Sequence, residues 1–120
     1  MIIQNMIFQN TFAAAALACL AFSPLIAQAA PGMPPALNLR VIQGNADAAR
    51  VNAGIYQWKR VNVEVDRIAA AEHALEAAGT ADAVLRTAVL SLRSARQAHD
   101  SDATIRAATA VSALCAAALR

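Results

Sequence analysis

From Val51 to Ala78 the apolar residues Val51, Ile55, Trp58, Val61, Val65, Ile68, Ala71, Leu75 and Ala78 recur every three or four positions. That spacing lines one face of an α-helix and leaves the opposite face polar. Inside the run, "RVNVEVD" at Arg60 to Asp66 also alternates with period two and is rich in β-branched valine, the pattern of a half-buried strand. The continuation "RIAAAEHALEAAG" has the alanine, leucine and glutamate content of a good helix and ends on Gly79, a natural C-terminal cap. Upstream, Gly44 breaks the chain, and Asn45 with Asp47 reads as a helix N-terminus. The expectation is one long helix from 45 to 78, about 50 Å at about 1.5 Å per residue.

Two shorter helices follow. Thr80 is placed to cap the second, whose face is Leu85, Ala88, Val89, Leu92, Ala95 and His99; Asp100 or Ser101 caps the third, whose face is Ile105, Ala108, Ser112, Cys115 and Leu119. Both connections are short, so consecutive helices lie antiparallel. A tight turn at Gly79 and Thr80 would then set Glu72 near Arg86, Asp66 near Arg93, Glu64 near Arg96 and Lys59 near Asp100, four opposite-sign pairs. The fold class is all-α, an antiparallel three-helix bundle or long helical hairpin. The competing arrangement is a small α+β fold with strands near 37–42 and 61–65. In the three-helix arrangement the segment from Asn45 to Trp58 outreaches its neighbours yet carries Val51, Ile55, Tyr56 and Trp58, so the preceding arm, a bend at Gly54 or another molecule should cover it; Ile55, Tyr56, Trp58 and Arg60 are the candidate partner-binding residues.

No Asp, Glu, Lys or Arg occurs before Arg40. "FAAAALACLAFSPLIAQAA", from Phe12, is an apolar run closing on Ala27-Gln28-Ala29, the small-x-small form cut by signal peptidase, although the segment before it lacks the usual positive charge. Residues 1–29 are therefore read as a cleaved secretory signal, 30–44 as a flexible Pro-rich arm, and 45–120 as the helical domain, with a periplasmic or secreted, bacterial location. Retention of the run as an anchor is the rival reading. "ALAC", Ala16 to Cys19, resembles the lipobox of bacterial lipoproteins but lacks its preferred leucine at Ala16.

All three phenylalanines precede residue 30, so Tyr56 and Trp58 are the aromatics left to the domain and its core must be Ala, Val, Leu and Ile. Such a core removes little apolar area per residue. The chain ends on "RAATAVSALCAAALR", in which thirteen consecutive residues are uncharged. As a helix they span about 20 Å, too short for a bilayer core of about 30 Å. Two neighbouring helices could not wrap a helix apolar nearly all round. The expectation is that Ala108, Ser112, Cys115, Ala116 and Leu119 pack against a second copy, with Cys115 near its symmetry mate.

A formal net charge of +2 with both signs interspersed gives no basic tract for nucleic acid. "EHALE" sets His73 and Glu76 three apart on one helix face, but part of the H-x-x-E-H pattern of zinc peptidases is lost because Ala77 stands where the second histidine belongs. His99 falls opposite about residue 60, far from His73. There is no C-x-x-C-H haem signal, no G-x-S-x-G elbow and no glycine-rich phosphate loop. No catalytic residue, cofactor or metal is assigned. "YQWKR", Tyr56 to Arg60, holds the residue types enriched at binding hot spots. The expected function is that of an exported, non-enzymatic protein working by protein–protein interaction, as a dimeric adaptor or an inhibitor or immunity-type protein; the alternative is a small-ligand or metal-binding bundle.

Overall fold

The computed structural model describes residues 33–120; the expected signal and Cys19 lie outside them. The described chain is a bundle of four helices: α1 (Pro35–Gly54), α2 (Trp58–Ala77), α3 (Ala83–Gln97) and α4 (Ser101–Ala118). α1 packs along both α2 and α4, α3 packs on α4, and α2 meets α3 more lightly. Cross-links fix the antiparallel directions: Asn52 Nδ2 donates to Glu64 Oε2 at 2.7 Å, Ser112 Oγ to Asp47 Oδ1 at 2.7 Å, and Ser101 Oγ to the Ala53 carbonyl at 2.8 Å. Among the described residues no helix is long and apolar enough to cross a membrane.

The all-α expectation holds, and the α+β alternative does not, because residues 37–42 and 61–65 are both helical. Three helices become four for two reasons. The segment from Pro35 to Gly44, expected as an extended arm, is the first half of α1. Pro35 occupies the first turn, where its missing N–H is needed by no partner and its fixed φ suits the helix. The backbone N–H groups of Leu37 and Asn38 close on the Pro34 carbonyl at 3.0 and 3.2 Å.

The expected long helix is also broken after Gly54. Gln57 N–H bonds the Asn52 carbonyl at 2.8 Å and Tyr56 N–H the Ala53 carbonyl at 3.2 Å, with Tyr56 at φ 58°. This is a Schellman turn carried by a residue other than glycine. The same turn ends α2, with Gly79 at φ 75°, and α3, with His99 at φ 51°. Folding back at Tyr56 abolishes the overhang expected of a helix about 50 Å long.

Asn45, expected as an N-cap, instead lies fully buried inside α1, where its Nδ2 returns to the Val41 carbonyl at 2.8 Å. The α3 cap is Asp82 rather than Thr80: its Oδ1 accepts from the N–H groups of Val84 and Leu85 at 2.8 and 3.3 Å. Thr80 serves the preceding helix by donating to the Leu75 carbonyl at 3.0 Å. The turn from Ala78 to Asp82 is thus longer than expected, and the ion pairs shift by two to four residues along α2. Arg86 meets Glu76 at 2.9 Å rather than Glu72, and Arg96 meets Asp66 at 3.2 Å rather than Glu64. Asp100 caps α4 as expected, accepting from Ala103 N–H at 3.0 Å.

The core is aliphatic. Ile42, Val61, Val65, Ile68, Leu92 and Val111 are fully buried, as are the small residues Ala46, Ala49 and Ala53 of α1 and Ala108 of α4.

Candidate functional site

The two Schellman turns that carry no glycine, α1–α2 and α3–α4, lie at the same end of the bundle, tied together by the Ser101 to Ala53 hydrogen bond. A left-handed backbone costs a residue with a Cβ about 1–2 kcal/mol. Strain of that kind concentrates where a side chain's placement matters more than its contribution to folding. At Tyr56 the ring earns nothing back from the core: the residue is 71% exposed, and Ile55 beside it is 59% exposed. Val51, one turn earlier on α1, extends the apolar strip.

Trp58 opens α2 and is half-buried. Its ring meets the edge of His99 with centroids 4.9 Å apart and planes at 74°, an edge-to-face contact. The His99 ring thus packs on a neighbouring aromatic, whereas the Tyr56 side chain stands mostly in solvent. Arg60 is exposed in the first turn of α2, next to Lys59, where no acidic side chain and no side-chain cap offsets the helix dipole. The end therefore presents an apolar and aromatic tip flanked by positive charge. Beside it Asn62, Asp66, Arg96, Gln97 and His99 line a shallow open groove of about 410 Å³. Arg96 spans that groove, reaching the Asn62 carbonyl at 3.4 Å as well as Asp66.

Ile55, Tyr56, Trp58 and Arg60, singled out in the sequence, are accordingly brought to one end, although by a turn rather than an overhang. His99, expected on the face of the second helix and opposite about residue 60, instead lies just past the end of α3 in the turn. Its ring contact with Trp58 depends on a left-handed backbone that a histidine does not advertise.

The residues expected to meet a second copy do not form a free surface. Ala108 and Cys115 are fully buried in the chain's own core, because α1 supplies the cover that a three-helix arrangement lacks. Ser112 is engaged by Asp47, and Ala116 and Leu119 are half-buried. Burial, with a smaller push from Asp47, raises the Cys115 thiol to about 12, which removes the thiolate needed for disulfide exchange.

His73 Nδ1 lies 3.9 Å from Glu76 Oε1, but its side chain is 83% exposed and Glu76 is held by Arg86. Among the described residues no three His, Cys, Asp or Glu side chains converge as metal ligands. Two other carboxyls sit above the usual glutamate range. Glu72 is raised by burial first, then by its hydrogen bond and repulsion with Glu76; Glu64 is raised by burial in spite of Asn52 and the nearby Arg67 and Arg60. Glu64 lies near the turn end, bonded to Asn52 of α1, whereas Glu72 lies toward the other end of α2 beside Glu76.

No protein-family model matches the chain, and no curated protein or solved structure matches it at a significant level.

Proposed function

We propose that this is an exported, non-enzymatic helical protein that acts by binding another protein, and that the α1–α2 turn end is its docking surface. The observation carrying this reading is Tyr56: a large aromatic side chain, mostly in solvent, on a backbone conformation that glycine would adopt without strain. Ile55 and Val51 supply adjoining apolar area, and Arg60 and Lys59 supply a charged rim, the composition of a hot spot with its surround. The N-terminal run ending at Ala29 supports export.

The test is site-specific photo-crosslinking in cells that produce the protein, with a benzophenone side chain at position 56 and, as control, at Val84, which is 62% exposed on α3. A discrete protein adduct is expected from position 56 alone, and Ile55→Asp should abolish it. Identical adducts from both positions, or none from position 56, would remove the docking reading.

A further inference from the structure

At the opposite end of the bundle, where α1 and α3 begin and α2 and α4 finish, one leucine from each helix faces a common space. Leu39, Leu75, Leu85 and Leu114 form its walls, with Pro35 and Ala118 closing its sides, and its volume is about 160 Å³. Leu75 and Leu85 are almost fully buried, so the walls belong to the folded core and are in place before any ligand arrives.

Thr80 and Asp82 stand at the rim, but both are already committed. The Thr80 hydroxyl donates to the Leu75 carbonyl, and Asp82 Oδ1 accepts from the N–H groups that start α3. The lining side chains therefore offer no free donor to hold a carboxylate or phosphate, while the Asp82 charge at the mouth repels anions. What remains is four leucine side chains with unmade dispersion contacts on one side. An engineered cavity of about 150 Å³ lined by similar side chains stays dry and takes up benzene. We infer that the pocket enclosed by Leu39, Leu75, Leu85 and Leu114 is a binding site for a small uncharged apolar molecule, a six-membered ring or an alkyl chain of about six carbons. It lies at the other end from Tyr56 and stands or falls independently of the docking surface.

The experiment is a titration of the full chain, with ¹³C-labelled leucine methyls, against benzene, 1-hexanol and hexanoate. Benzene and hexanol should give saturable shifts confined to the methyls of those four leucines, with dissociation constants on the order of 1 mM for so few atoms. Hexanoate should bind about tenfold or more weakly, since its carboxylate would lose water without gaining a partner. Ala118→Phe, at an exposed edge of the pocket, should fill the space and abolish the shifts, and Leu39→Phe should do the same, while Ile55→Ala leaves them unchanged. Circular dichroism of each variant establishes that it is folded. Absence of saturation with both neutral ligands, shifts spread over the other leucines, or undiminished binding in the two filled variants would overturn the assignment.

Discussion

Glu72 shows what one buried carboxyl does to this small molecule. Burial and the neighbouring Glu76 favour its neutral form, and Arg86 and His73 oppose them less strongly. Because the folded state holds this proton more tightly than the unfolded chain, the ionised carboxylate withholds stability at neutral pH. That stability returns as pH falls through the raised folded value and is fully present below the ordinary 4.5. Glu72→Gln should therefore raise the urea midpoint at neutral pH, and its advantage over the parent should shrink as the medium is acidified below the ordinary glutamate range. A variant equally stabilised at both pH values would place the effect elsewhere. Cys115 makes a second residue-scale prediction. With its thiol buried and raised to about 12, alkylation in the native state should be slower than in urea by more than about a hundredfold. Equal rates would show that the α1–α4 seam opens readily.

The helices themselves were legible where apolar periodicity was uninterrupted. Val61, Val65, Ile68 and Leu75 of α2 and Leu85, Val89 and Leu92 of α3 are buried as their spacing requires. The first half of α1 was hidden because two of the helix's buried positions are asparagines. Asn38 and Asn45 satisfy their side-chain N–H groups on the Met33 and Val41 carbonyls, and so blur the apolar stripe that marks a helix. A bend at Gly54 was legible as one way to cover the overhang, but the full reversal was not, because a left-handed turn is signalled by glycine, as at Gly79, and here Tyr56 takes that conformation. Capping contributes at this scale too. Asp82→Ala and Asp100→Ala should each cost about 1 kcal/mol in denaturant unfolding, because each orphans backbone N–H groups at a helix start. Ala49→Leu should cost about 1–3 kcal/mol, since Ala49 is fully buried in the core with no room for a branched side chain.

For the whole molecule, the fourth helix changes what the C-terminal segment means. The uncharged run from Ala107 to Leu119 packs on α1 and α3 of its own chain, and its buried residues Ala108, Val111 and Cys115 belong to the core. The candidate site was readable as a cluster, "YQWKR", because its residue types are unusual in an alanine-rich chain. Its geometry was not, because two turns far apart in sequence had to converge before Trp58 could meet His99. The resulting picture divides the work: the aliphatic core and the caps stabilise the bundle, and the turn end carries a strained, exposed aromatic that stability alone does not require. Equilibrium unfolding of Tyr56→Gly tests that division most directly. If Tyr56 serves recognition, the glycine variant should be more stable than the parent by about 1 kcal/mol, relieved of a left-handed residue with a Cβ. A variant less stable than the parent would contradict the account, for the Tyr56 ring would then be holding the fold together.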